Sequence, residues 1–197
     1  VGGVGKSRLA LEVARKLCPY FLDGVFFISL ASIQDPDLVV SKIAEALKVK
    51  ESGDQPLKEA LLEQICQRRI LLILDNFEHL LQATNLVAEL LSASPGLRIL
   101  ITSRAPLHLS SEYLLTIQPL SLPEIPPDVK WQEALPNLVR SDAVLMFVSC
   151  ARALSPEFNL SETNGSLVAE ICRRLDGLPL AIQLAAAQVR LMDLTKL

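Results

Sequence analysis

The stretch "VGGVGKSRLA", Val1 to Ala10, constrains this chain more than any other. Glycines at positions 2, 3 and 5 let the backbone enter conformations barred to other residues, so that successive N–H groups can turn inward. A helix follows at once. From Lys6 to Leu17 the apolar residues Leu9, Val13 and Leu17 recur every fourth position, while Arg8, Glu12, Arg15 and Lys16 fall on other faces. Inward N–H groups that feed the positive end of a helix make a concavity suited to an anion.

Gly5, Lys6 and Ser7 match the last three positions of the pattern G-x-x-x-x-G-K-[ST]. Its first glycine would fall one residue before Val1. The chain is therefore expected to be a fragment that starts inside the motif, downstream of a strand. In such a loop the backbone of Gly2, Gly3, Val4 and Gly5 wraps phosphate oxygens. Lys6 reaches the β- and γ-phosphates, the Ser7 hydroxyl ligates Mg²⁺, and Arg8 flanks them. The alternative is a glycine-rich turn ahead of an ordinary helix.

Alternation of elements supplies the frame. "GVFFISL" (24–30), "ILLILD" (70–75) and "LRILITSR" (97–104) read as short buried strands, and "EYLLTIQPL" (112–120) as a further one. Helices are expected over Pro36–Leu47, Leu57–Cys66 and His79–Leu91, with turn-rich "KESGDQP" between the first two. Strands and helices in alternation imply an α/β fold with a parallel sheet covered on both faces. Counting the strand expected upstream, the sheet has five strands. After Ile117 the character changes. Prolines crowd 119–136, and from Ser141 onward only helices are expected: Ser141 caps "DAVLMFVSCARAL", Ser166–Asp176 stops at Gly177, and Pro179 opens "PLAIQLAAAQVRLM". The organisation read from the sequence is an α/β domain over 1–120, a proline-rich linker over 121–140 and a helical module over 141–197.

Composition excludes several classes. Half of the 197 residues are apolar and the mean hydropathy is +0.36. Yet the apolar runs stay far below the ~18 residues of a membrane span. A net charge of −3 argues against a nucleic-acid surface in this piece. Cys18, Cys66, Cys150 and Cys172 show no C-x-x-C spacing, and His79 and His108 have no partner at ligand spacing. The cysteines are expected to be four buried, reduced thiols in a cytoplasmic protein.

Two strand tips join the loop. "LLILDN" puts Asp75 at the carboxyl end of a hydrophobic strand, where open parallel sheets bind ligands; a carboxylate there can hold Mg²⁺ through water. "LITSR" ends in Thr102, Ser103 and Arg104, and a guanidinium at that point suits a γ-phosphate. The plainer readings are an aspartate that starts a loop and a solvated arginine that caps a strand.

With "GGVGKSRLA", "LLILDNFEHLL", "PGLRILITSR" and "EICRRLDGLPLAIQLAA" in place, the chain resembles the STAND class of P-loop NTPases, in the NB-ARC branch. "LDNFEHLL" and "DAVLMFVSCARA" are most similar to bacterial LuxR/SARP-like transcriptional regulators. The resemblance implies a sheet order of 5-1-4-3-2 and a switch held closed by ADP and opened, with oligomerisation, by ATP and an inducer. It implies Lys6, Asp75 and Arg104 as the catalytic set and Ser7 and Asp75 as the metal ligands. Gly2, Gly3, Val4, Gly5, Lys6, Ser7, Arg8 and Pro179 would contact ATP or ADP, with Pro179 near the adenine. A winged-helix domain would follow Leu197, and DNA would be met only through domains outside this piece. The chain departs from the pattern at Asn76, where many relatives carry a second acid. An amide cannot take a proton from water, so at most slow hydrolysis is expected. Glu78 is near enough to substitute for that acid, but the preferred reading is a helix-start carboxylate favoured by the dipole. The competing readings are a steadily turning-over AAA+-like ATPase and a scaffold that binds no nucleotide.

Overall fold

A computed structural model describes residues 2–50, 55–123 and 137–189. The chain divides into two compact units: one is Lys6–Leu115, the other Val1–Gly5 together with Thr116–Leu197.

The first of these is an α/β layer structure. In chain order it contains α1 (Lys6–Leu17), β1 (Val25–Ser29), α2 (Leu38–Leu47), α3 (Leu57–Ile65), β2 (Leu71–Asp75), α4 (Thr84–Ala93) and β3 (Arg98–Ile101). The strands are parallel, in the order β1-β2-β3, with Ser29 level with Asp75 and Leu74 level with Ile101. All three therefore end at nearly the same height.

Every residue of β2 is buried, because side chains alternate across a strand and both of its faces are covered. Leu72 and Leu74 join the main core with Ile43 of α2, Leu61 and Ile65 of α3 and Leu90 of α4. Leu71 and Ile73 point the other way and pack with Ala10 and Ala14 of α1. Small alanines let α1 lie close on the sheet. That second cluster also gathers Leu17, Phe21 and Val25, so the end of α1 lies beside the starts of the strands. A 12-residue helix runs about 18 Å, roughly the length of a five-residue strand. The start of α1, with Lys6 and Ser7, consequently lies at the level of the strands' carboxyl ends.

The second unit holds α5 (Asp142–Leu154), α6 (Gly165–Arg174) and α7 (Pro179–Gln188) around Phe147, Val168, Cys172, Ile182 and Ala186. Ser141 caps α5 as expected, accepting from the Val144 N–H at 3.4 Å. Its hydroxyl also donates to the Ser121 carbonyl (2.7 Å), while the Ser121 hydroxyl donates to Asp142 (2.8 Å). The extended residues before α5 are thus tied to the helix start. Gly177 adopts φ +65°, and a Cβ there would run into the backbone carbonyl of Leu120. Leu120 N–H in turn donates to the Gly177 carbonyl at 2.9 Å. Glycine is required both by the left-handed turn and by the close approach of the Leu120 backbone.

Several expectations need correction. No strand forms over 112–120. An extended segment becomes a strand only when another strand takes its N–H and C=O groups; here Tyr113, Leu114 and Leu115 are exposed and only the Leu120 N–H is bonded to a neighbouring segment. The helix expected from His79 begins at Thr84, after two 3₁₀ turns at Phe77–His79 and Leu81–Ala83. Leu80, fully buried between them, leaves helical geometry at φ −116° and ψ 28°. The helix expected from Pro36 starts at Leu38. Cys18 and Cys66 are exposed and Cys150 is partly so, because they sit at helix ends or on an outer helix face; Cys172 alone of the four is buried. Burial pushes its thiol up to about 12. Most of the linker (124–136), part of the turn (51–54) and the end of the last expected helix (190–192) lie outside the described residues.

Gly177→Ala should lower the unfolding free energy by roughly 2 kcal/mol, from the left-handed penalty together with the displaced Leu120 backbone. Thermal unfolding followed by circular dichroism checks this; an unchanged Tm would contradict the close approach.

Candidate functional site

The carboxyl ends of β2 and β3 are laced together around Asp75. Asp75 is 6% exposed, and its Oδ1 accepts a 2.6 Å hydrogen bond from the Thr102 hydroxyl. The same hydroxyl oxygen accepts from the Asn76 N–H at 3.0 Å. The Thr102 carbonyl accepts from the Phe77 N–H, and the Thr102 N–H donates to the Leu74 carbonyl, both at 3.0 Å. From the β1 side, the Leu30 N–H donates to the Asp75 carbonyl at 2.9 Å. The Thr102 hydroxyl therefore holds the carboxylate, and bonds from both neighbouring strands hold the backbone that carries it, so its direction does not depend on a flexible loop.

The chain leaves β2 through Asn76, which sits in the left-handed region at φ 66°, ψ 49°. Asparagine is among the few non-glycine residues that tolerate this geometry. Its place after Asp75 thus has a backbone reason in addition to the chemical one noted above. Glu78 follows in the first 3₁₀ turn and pairs with Arg104, with Oε1 to Nε at 2.9 Å. This corrects the reading of Glu78 as a simple helix-start carboxylate. A three-residue turn has little dipole, and the partner is a side chain from the neighbouring strand tip. His79 Nε2 lies 2.6 Å from the Ile33 carbonyl. A carbonyl only accepts, so this nitrogen carries the proton, and it ties the loop after β1 to the turn after β2.

Lys6, Ser7 and Arg8 form the first turn of α1, at the same end of the sheet as Asp75 by the packing described above. A helix start with a lysine, a hydroxyl and a fixed carboxylate at that height offers hard oxygen donors and positive charge, the chemistry that Mg²⁺ and phosphate require.

In the other unit, Gly3 and Gly5 have φ +76° and +97°, as an inward-turned glycine loop needs. Val4 is buried. The Gly3 carbonyl accepts from the Leu180 N–H at 3.2 Å, and a Cβ on Gly3 would touch Leu180 Cβ at 3.3 Å. Leu180 follows Pro179, the first residue of α7. The glycine loop and the helix that carries Pro179 are therefore in direct contact. The sequence marks Thr102 only as part of a strand end and does not join Glu78 to Arg104. The signal available was an aspartate and a threonine at the tips of two strands, which neighbour each other only once the order β1-β2-β3 is known.

The family described as AAA domain matches residues 2–107. The chain belongs to that family. The AAA match takes in the glycine loop, Lys6, Ser7, Asp75 and Arg104. The chain is also 38% identical over 193 residues to a Mycobacterium tuberculosis protein named as a candidate HTH-type transcriptional regulator, covering 98% of this chain and 20% of that protein. It is 36% identical over 187 residues to an uncharacterized protein of the same organism, covering 94% of this chain and 43% of that one. It is 32% identical over 130 residues to the regulatory protein AfsR of Streptomyces griseus, covering 61% of this chain and 13% of that protein. The AAA-type domain thus recurs in proteins named as regulators, and this chain spans less than half the length of each.

Thr102→Val should cost about 1–3 kcal/mol, because the Asp75 carboxylate and the Asn76 N–H both lose a partner away from water. Thr102→Ser should restore most of it. Chemical denaturation of the three forms measures the difference; equal stability of the valine and serine variants would contradict the role of the hydroxyl.

Proposed function

We propose that this AAA domain is the nucleotide-operated switch of a multidomain regulator, in the NB-ARC branch of the STAND class. ATP or ADP would bind with Mg²⁺. The backbone of Gly2, Gly3, Val4 and Gly5 and the first turn of α1, through Lys6, Ser7 and Arg8, would hold the phosphates. Ser7 and Asp75 would hold the metal, which screens phosphate charge when bound. Arg104 would meet the γ-phosphate and Pro179 the adenine. The observation that supports this most is Asp75, buried at the tip of the central strand with its carboxylate held by the Thr102 hydroxyl, at the height where α1 begins with Lys6 and Ser7.

The finer architecture belongs to the same reading. The three strands correspond to the 4-3-2 part of a 5-1-4-3-2 sheet. A strand upstream of Val1 would pair with β3 on one edge and with 112–120 on the other, supplying the partner that this apolar segment lacks. The divisions 1–120, 121–140 and 141–197 would then be an α/β domain, a linker and a helical module. ADP would hold the modules closed; ATP would favour an open state that assembles with copies of itself. DNA would be met through other domains of the parent protein, in the cytoplasm.

The second reading, a steadily turning-over ATPase, has Asn76 against it. The turn after β2 suits asparagine, and an amide supplies no base, so hydrolysis would be slow.

Lys6→Ala should abolish nucleotide binding, since the phosphates lose their principal cation. Isothermal titration with ADP and ATPγS tests this, and an unchanged affinity would overturn the assignment of the site.

A further inference from the structure

The Glu78–Arg104 pair stands at the tip of the strands that present Asp75, and it occupies the cation assigned to the γ-phosphate. The Arg104 side chain is 62% exposed and that of Glu78 21%. Arg104 is thus the more solvated partner, while Glu78 is more enclosed, one residue beyond fully buried Phe77. Its position is set by backbone. The Phe77 N–H is bonded to the Thr102 carbonyl, which places Glu78, the next residue, close to the residues that follow Thr102. Ser103 reinforces this turn: its hydroxyl donates to the Ala105 carbonyl at 2.7 Å and accepts from the Ala105 N–H at 3.1 Å. The pair is therefore the outcome of a fixed turn on each strand.

We infer that Glu78 is a specificity-determining residue for the nucleotide's third phosphate, holding Arg104 so that a γ-phosphate competes with it for the guanidinium. This rests on the phosphate-site reading above. The contact is a single one, from Glu78 Oε1 to Arg104 Nε; it takes one edge of the guanidinium and offsets its charge, so it competes with a phosphate oxygen for that edge. A diphosphate, one phosphate short, leaves the pair intact. A triphosphate that takes the Nε edge breaks the contact, and it meets Glu78 as a negative charge beside the phosphates. The net effect is a bias toward the diphosphate form. Both side chains contact water, so the pair is screened and its weight is modest.

The test is titration calorimetry with ADP and with ATPγS on the wild type, Glu78→Gln, Arg104→Gln, the double variant and Lys6→Ala. Glutamine keeps the size of Glu78 and replaces Arg104 by a shorter neutral side chain, and circular dichroism verifies that each variant is folded. Glu78→Gln should tighten ATPγS binding about three-fold and leave ADP unchanged. The gain should vanish in the Arg104→Gln background. A merely structural role for Glu78 would move both nucleotides together. Equal affinities of wild type and Glu78→Gln for ATPγS, or weaker ATPγS binding by Glu78→Gln, would overturn the inference. So would a gain that persists without Arg104. In each of these cases, loss of both nucleotides in Lys6→Ala would leave the phosphate site standing. Retained binding in Lys6→Ala would overturn the site itself.

Discussion

The burial of β2 on both faces is the constraint on which the rest of the α/β unit depends. Leu72 and Leu74 anchor the main core, Leu71 and Ile73 anchor α1, and no face of the strand is left for water. A strand so enclosed cannot slip in register without placing every side chain on the wrong side. Asp75 therefore ends the strand at a fixed height. The Leu30 N–H holds its backbone carbonyl, and the Thr102 hydroxyl orients its carboxylate. Apolar packing sets the position of the carboxylate, and the hydrogen bond from Thr102 sets its direction.

The parts of the fold with strong local signals were legible. α1 spans the residues its fourfold apolar spacing outlines, and the three strands match the apolar runs to within a residue or two at the start and up to three at the end. Ser141 and Gly177 mark helix ends as their chemistry dictates. What the sequence concealed was non-local or geometric. "EYLLTIQPL" has strand composition but takes no ladder partner among the described residues. The apolar pattern after His79 suits a helix equally well as the two 3₁₀ turns, because Leu80 is buried in either case. Cys18 and Cys66 lie in apolar stretches but at positions where those stretches face water. The choice of asparagine at position 76 reads as lost chemistry until its left-handed backbone is seen.

The same division holds at the site. Lys6, Ser7, Asp75 and Arg104 are visible as motif residues. Thr102 and Glu78 acquire roles only from the pairing of β2 with β3, which brings residues about 26 apart into contact. Magnitudes also bound what one contact can do. An exposed ion pair contributes at most about 1 kcal/mol, whereas moving a two-state switch from mostly closed to mostly open takes about 5.5 kcal/mol. Glu78 can tilt the balance between nucleotides but cannot set it alone. In the proposed switch, phosphate contacts and packing of the helices that carry Pro179 would supply the larger share; the bond between Gly3 and Leu180 is a direct tie from the glycine loop to those helices.

The central claim is that this domain retains a nucleotide as a switch does, without turning it over as a motor does. The most direct measurement is to purify the protein without added nucleotide, denature it and identify what is released by chromatography. The account predicts ADP in stoichiometric amount. An empty protein that hydrolyses added ATP briskly would contradict it.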